Sequence, residues 1–127
     1  MEIIYLFFIF VAIELFETNW QKSDNLYGLL ENNFLAFKKS IFLYFILHLS
    51  FFYSIFLSIT LNNFGFWMSS IIVLKFLDIS LKLSIMKKML NGFSLEQIIP
   101  FNANISPILR YLNVLIYPIS FLFATAL

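Results

Sequence analysis

Residues 40–86 read SIFLYFILHLSFFYSIFLSITLNNFGFWMSSIIVLKFLDISLKLSIM. This stretch contains two long apolar runs, 40–60 and 66–86, and each has the roughly 20 residues that a helix needs to cross a bilayer. Between them, Leu61–Gly65 contains two Asn residues and a Gly, which favour a tight turn. The pattern predicts two antiparallel membrane-spanning helices joined by a short turn.

Two further apolar segments flank this predicted hairpin. Residues 1–17 are predicted to form the first span, and they lack the basic start and cleavage site of a signal peptide. We therefore expect this segment to be retained. Residues 107–127 are predicted to form the fourth span, with Ser106 as its N-cap and Pro107 as its first residue. Pro118 lies inside that span and predicts a kink.

The composition supports a membrane protein. Of 127 residues, 61% are hydrophobic and only 12% are charged, whereas about 25% of residues are charged in a soluble domain. These values exclude a soluble globular domain, a disordered chain and a nucleic-acid-binding module. We expect an all-α polytopic integral membrane protein whose residues 1–127 form a single transmembrane helical domain, with the lipid bilayer as its first partner.

Two longer connections join the predicted spans. Residues 21–39 carry apolar side chains at helical spacing and predict an amphipathic helix lying in the membrane interface, which is either separate or an extension of the second span. The apolar positions are Leu26, Leu30, Phe34 and Phe37. In the second connection, Asn91 and Gly92 predict a helix end. Ser94 then predicts a capping box that starts a short helix over 95–99.

Basic residues near the span ends predict the orientation. They occur in or beside the two long connections and are absent from the N-terminal segment and the short turn. Six residues carry this pattern: Lys22, Lys38, Lys39, Lys87, Lys88 and Arg110. We therefore expect a bacterial inner-membrane protein with both long connections in the cytoplasm and both termini outside.

The third predicted span carries three ionisable residues. Lys75, Asp78 and Lys82 are separated by three and four positions, so they lie on one side of a helix. Charges facing lipid would each cost at least about 2.5–3.5 kcal/mol near the bilayer centre. The charged stripe must therefore face protein or water. It is either a self-neutralising structural set, with Asp78 and Lys82 as a pair, or part of an ion or proton pathway.

Depth along the helices predicts partners for this stripe. Counted at 1.5 Å per residue from the span ends, Glu14 lies near the depth of Lys82, and His48 lies near the depth of Asp78. We expect the first pair to meet unless the first helix ends one turn earlier, in which case Glu14 is simply interfacial. We expect the second pair to form a hydrogen bond if the second and third spans pack as a hairpin. The charges of Glu14, Lys75, Asp78 and Lys82 sum to zero, and a neutral buried set costs less than a single uncompensated charge. Asp78 is also the expected counter-charge of Lys75. His48 is either a packing residue or, beside Asp78, a proton acceptor near physiological pH.

A second polar pattern lies on the second span. Ser50, Ser54 and Ser58 are spaced by four residues and form a small-residue seam. Such seams allow another helix to approach closely, and their hydroxyls bond to the carbonyl one turn earlier. Pore lining is the alternative function for these serines.

Three classes of function remain open. The leading one is an accessory or scaffold subunit of a membrane complex. The second is an oligomeric ion- or proton-coupled transporter or channel that uses the intramembrane charges. The third is a membrane enzyme acting on lipid or quinone, with His48 and Asp78 as an acid/base pair. We predict no catalytic residues, no metal and no cofactor, because the chain has one His, no Cys and no phosphate-binding or hydrolase motif. We expect a homo-oligomer or a larger membrane complex, and no nucleic-acid partner.

Overall fold

In a computed structural model that describes residues 2–126, the chain is 80% helical and contains no strand within that range. The all-α prediction is therefore confirmed. The helices are α1 (Glu2–Gln21), α2 (Leu26–Lys39), α3 (Ile41–Leu47), α4 (Leu49–Thr60), α5 (Phe66–Leu90), α6 (Leu95–Ile98), α7 (Pro107–Arg110) and α8 (Leu112–Ala126).

Four of these helices form the main bundle. α1 and α5 run in one direction, α4 and α8 run in the other, and α1 contacts both α4 and α8. At the end of the bundle near the short turn, one fully buried apolar cluster joins all four helices. It consists of Phe10, Leu57, Met68, Ile71 and Phe121. The start of α1 and the short turn therefore lie at the same end of the bundle.

The predicted turn after α4 is confirmed. Asn62 has a positive φ of 49°, which Asn tolerates better than most residues. The side-chain amide of Asn63 donates to the carbonyl oxygen of Ala124 at 3.0 Å and ties the turn to α8. Gly65 then forms the N-cap of α5.

Fewer helices than predicted are long and apolar enough to cross a membrane. Within residues 2–126, α1 is long and apolar enough to cross a bilayer over Ile3–Gln21, and α3 with α4 reaches that standard only as one bent span. The 25 residues of α5 are long enough, but its charged residues exclude it. The apolar part of α8, Leu112–Thr125, is too short. Length and composition thus identify one or two candidate spans and not four.

The prediction of one continuous helix over 40–60 is wrong. The helix breaks at His48, where α3 and α4 meet at a bend of 59°. The amide of His48 donates to the carbonyl of Phe45 and not to that of Tyr44, which interrupts the α-helical ladder.

Side chains satisfy two carbonyls at this break. The His48 Nδ1–H donates to the Tyr44 oxygen at 2.8 Å, and the Trp20 indole Nε1–H donates to the Leu47 oxygen at 3.1 Å. The Trp20 ring also packs edge-on against the His48 ring at 5.5 Å. An unpaired carbonyl in an apolar environment costs roughly several kcal/mol. The hydrogen bonds from the His48 and Trp20 rings therefore stabilise the bend.

The fourth predicted segment is also interrupted. α7 ends at Arg110, and Tyr111 separates it from α8. Ser106 and Pro107 cap and begin α7 as predicted. Pro118 lies inside α8, where the predicted kink stays a prediction, and the interruption of the segment lies at Tyr111, about one turn after Pro107.

The amphipathic segment is a separate helix. α2 is capped by the Asn25 side chain and ends at Lys39, because the next residue, Ser40, has an extended φ of −171°. Its apolar face does not lie free in an interface: Leu30 is buried against Ile85, Met86 and Leu95. α2 is therefore part of the packed protein.

The two long connections contact each other. The Leu26 amide donates to Ala103 oxygen at 2.8 Å, and the Ile105 amide donates to Asp24 oxygen at 2.8 Å. In the second connection, the predicted capping box at Ser94 is present and starts α6. This helix ends one residue before its predicted end. Both connections therefore lie at the end of the bundle opposite the short turn.

Candidate functional site

A buried charged layer lies just beyond the apolar cluster. Lys75 Nζ forms an ion pair with Glu14 Oε2 at 2.5 Å and donates to Ser50 Oγ at 2.8 Å. The predicted contact between Glu14 and Lys82 is wrong, because Glu14 lies about two helical turns before the end of α1. α1 continues to Gln21, four residues past the predicted end of the span, which places Glu14 level with Lys75.

Glu17 completes this layer, and the sequence analysis missed it. Its Oε1 accepts from the Ser50 amide at 2.8 Å, and its Oε2 accepts from Ser50 Oγ at 2.5 Å. The Lys75 ammonium also lies 3.8 Å from the centre of the Tyr117 ring, a cation–π contact. A signal was present, because Glu14, Glu17 and Gln21 follow one face of α1 at helical spacing.

The charge balance of this layer differs from the prediction. Glu14, Lys75, Asp78 and Lys82 were expected to form a neutral set. Glu17 adds a carboxylate, so Glu14 and Glu17 share the ammonium group of Lys75, with Ser50 as the bridge. Both glutamates are almost fully buried. The layer therefore has one acidic group more than it has cations.

A second polar layer lies farther from the short turn. Lys82 Nζ pairs with Asp78 Oδ2 at 2.9 Å, the predicted i,i+4 pair, and donates to Gln21 Oε1 at 2.7 Å. Asn33 Nδ2 donates to the same Gln21 oxygen at 3.0 Å, and the Tyr44 hydroxyl donates to Asn33 Oδ1 at 2.9 Å. This chain of contacts joins α5, α1, α2 and α3.

The predicted hydrogen bond between His48 and Asp78 is not formed. His48 uses Nδ1 for the carbonyl of its own helix, and its buried Nε2 has no partner among the residues that the structure describes. Both residues nevertheless line one cavity. The bend at His48 turns the ring toward Trp20, and sequence spacing alone cannot show this.

The three serines of the seam differ in the contacts that their hydroxyl groups make. All three serines are buried. Ser54 Oγ donates to Ser50 oxygen at 2.8 Å, one turn earlier, as predicted. Ser50 instead joins the charged layer, and Ser58 Oγ has no partner within the described range 2–126.

A cavity of about 530 Å³ extends from the charged layer to the long connections. Glu14, Lys75 and Tyr117 lie at its inner end, and Lys22 and Arg110 lie at its outer end. Beyond the inner end, the apolar cluster of the bundle closes it toward the short turn. The cavity is therefore closed at the end near the short turn, and its volume falls within the range of about 300–1,000 Å³ typical of ligand sites.

No known family model, curated protein or solved structure matches this chain.

The position of Asp78 changes the expected effect of removing it. Its side chain is 49% exposed, and Lys75 pairs with Glu14, so Asp78→Ala leaves only Lys82 without a carboxylate. Lys82 retains Gln21 Oε1 as an acceptor. We expect a loss of about 1 kcal/mol or less in the free energy of unfolding, as for other solvent-accessible ion pairs.

Denaturant unfolding in detergent micelles measures this loss, with Asp24→Ala as the control, because the Asp24 side chain is 95% exposed and pairs with Arg110. A loss of several kcal/mol, roughly as expected for a deleted partner of a buried pair, would show that Asp78 supports the whole stripe, as the sequence alone suggested.

Proposed function

We propose that the chain is an integral membrane protein whose four predicted segments all lie in the bilayer, and that it serves as an accessory or scaffold subunit of a membrane complex. The main support for this proposal is that charged side chains lie inside the bundle and apolar side chains lie on its surface. Glu14, Glu17 and Lys75 are buried, with Glu14 ion-paired to Lys75 and Glu17 linked to Lys75 through Ser50, while large apolar side chains cover the outside. Only 17% of the apolar window of α1 is buried, unlike a soluble core helix.

The internal pairing supports a structural role for the charges. Each polar layer connects helices that are distant in sequence, and every lysine in them is held by partners from this chain. Paired charges of this kind fix which helices meet, because an unpaired charge in an apolar interior is costly. The exposed apolar surface remains available for lipid or for helices of a partner.

Thiol labelling tests membrane insertion and orientation. The chain has no Cys, and Phe64 and Phe93 are exposed at opposite ends of the bundle. In intact cells, we expect a membrane-impermeant reagent to label Phe64→Cys and not Phe93→Cys, which reacts only after permeabilisation. Equal labelling of both variants in intact cells would contradict a membrane-spanning arrangement, and the reverse pattern would invert the orientation.

Purification tests the subunit role. We expect the tagged protein in mild detergent to migrate with a second membrane protein at a fixed ratio through size-exclusion chromatography. Lys87→Gln, on the exposed end of α5, serves as a control that leaves the bundle intact. Migration as a homo-oligomer alone would contradict the subunit proposal.

Ion or proton translocation is the second candidate, and the cavity favours it. The cavity reaches the layer in which Glu14 and Glu17 share the single ammonium of Lys75, so a carboxylate is available to take up a proton or cation. Flux into vesicles that contain the purified protein would support this candidate if it is lost in Glu17→Gln, whose amide oxygen still accepts from the Ser50 amide. Absence of flux for the parent protein would remove it.

A further inference from the structure

We propose that the cavity binds the phosphate headgroup of an acidic membrane phospholipid, with Lys22 and Arg110 as its anion-binding residues. The proposal rests on the membrane location proposed above, and it is independent of the subunit role. Its basis is the difference between the two ends of the cavity.

The basic residues at the inner end are already occupied. Lys75 and Lys82 are each held by one carboxylate and one neutral oxygen of the chain. The three carboxylates that line the cavity are likewise bonded, to Lys75, Ser50 and Lys82. An anion entering the cavity would gain little from these groups.

The basic residues at the outer end have free donors. Arg110 Nη2 donates to Asp24 Oδ1 at 2.8 Å, but the Asp24 side chain is 95% exposed. The buried Arg110 Nε has no partner in the part of the chain that the structure describes. Lys22 is exposed and forms no ion pair within that part. A guanidinium presents its donors in a fixed plane that matches phosphate oxygens, and a nearby ammonium adds a second charge.

The walls near these residues suit an acyl chain. Apolar side chains that line the cavity include Leu26, Leu29, Ile79, Leu81, Ile99 and Leu109. Of these, Leu81 and Leu109 are 64% and 58% exposed, on α5 and α7. Two side chains of the cavity wall therefore reach the protein surface, and an acyl chain that follows them would leave sideways while its headgroup stays inside. A free anion would gain nothing from this apolar wall.

The predicted orientation agrees with this ligand. The basic residues place the long connections on the cytoplasmic side, where acidic lipids concentrate and where basic pockets between helices hold their headgroups. Arg110 and Lys22 lie at that end, level with the headgroups. The cavity is thus positioned at the depth where a leaflet lipid presents its phosphate.

Native mass spectrometry of the detergent-purified chain tests the proposal. The protein is incubated with equal amounts of phosphatidylglycerol and phosphatidylcholine of identical chains, and the lipid that remains bound is counted. We expect one phosphatidylglycerol per chain. The double variant Lys22→Gln with Arg110→Gln should weaken this binding by at least about tenfold, because each basic side chain near a lipid surface contributes about fivefold.

Lys87→Gln with Lys88→Gln is the matched control, because it removes the same charge from exposed residues that do not line the cavity. This variant should retain the lipid. Equal retention by the two double variants would show general charge attraction and overturn the proposal, as would equal binding of the two lipids by the parent chain.

Two further arms separate the remaining alternatives. Ala103→Phe fills the cavity without changing any charge, so retention of the lipid by a folded variant would place the lipid elsewhere. Inorganic phosphate that displaces the lipid at similar concentration would show a free-anion site and overturn the lipid assignment. Thiol labelling at Phe64 and Phe93 reports separately on the membrane location, so failure of one proposal is distinguishable from failure of the other.

Discussion

Lys75→Met is expected to destabilise the protein by about 3–5 kcal/mol, the cost of deleting one partner of a buried ion pair. The side chains of Lys75 and Glu14 are only 7% and 2% exposed. Without the ammonium, Glu14 loses its ion pair, Ser50 Oγ loses a donor, and Glu17 keeps only its bonds from Ser50. Methionine preserves most of the side-chain length, so little of the loss comes from a cavity.

The double variant Glu14→Gln with Lys75→Met separates pairing from packing. Both charges leave together, so this variant should be more stable than Lys75→Met alone. Lys87→Met, on the exposed end of the same helix, should change stability by less than about 0.5 kcal/mol. The measurement is denaturant unfolding in micelles followed by circular dichroism. Equal losses for the single and double variants would mean that the layer is hydrated and that its charges are not coupled.

The sequence predicted the helical class and the positions of most helix ends for physical reasons. Caps and turns depend on a few neighbouring residues, and the Ser94 box, Gly92 and the Ser106–Pro107 start occur as predicted. The failures are the breaks at His48 and Tyr111. Nothing local ends a helix at either position. The bend at His48 is held by Trp20, which is 28 positions earlier in the chain.

The sequence predicted which residues belong to the candidate site, but it did not predict which of them pair with one another. Lys75, Lys82 and Glu14 do lie in polar layers inside the bundle, as expected for charged residues on otherwise apolar helices. Their partners depended on where α1 ends, and a four-residue error there shifted Glu14 from Lys82 to Lys75. An error in the position of a helix end changes the expected depth of every side chain on that helix, by about 1.5 Å for each residue of error.

Asn33 illustrates a signal that was present and overlooked. It lies three positions after Leu30 and four before Phe37, on the apolar face of α2, where a polar residue requires a buried partner. In the structure it is fully buried and links Gln21 to Tyr44. A polar residue on the apolar face of an amphipathic helix therefore predicts that the face meets protein and not lipid.

Asn33→Leu is expected to cost about 2–4 kcal/mol, because it leaves the buried Tyr44 hydroxyl without an acceptor and removes two donated bonds. Adding Tyr44→Phe should recover a large part of this loss, since the orphaned hydroxyl then disappears. The adjacent Asn32→Leu is the matched control. Asn32 is only partly buried and bonds to backbone oxygens of Gln21 and Lys22.

Limited proteolysis between α2 and α3, together with the unfolding midpoint, measures the effect. Loss of Asn33 should release α2 from the bundle, so cleavage near Ser40 should rise in Asn33→Leu and fall again in the double variant with Tyr44→Phe. Cleavage that rises equally in Asn32→Leu would show that α2 is held by its backbone contacts and not by this buried amide. Because α2 forms one wall of the cavity through Leu26, Leu29 and Leu30, lipid retention should fall in Asn33→Leu in parallel with the loss of protection.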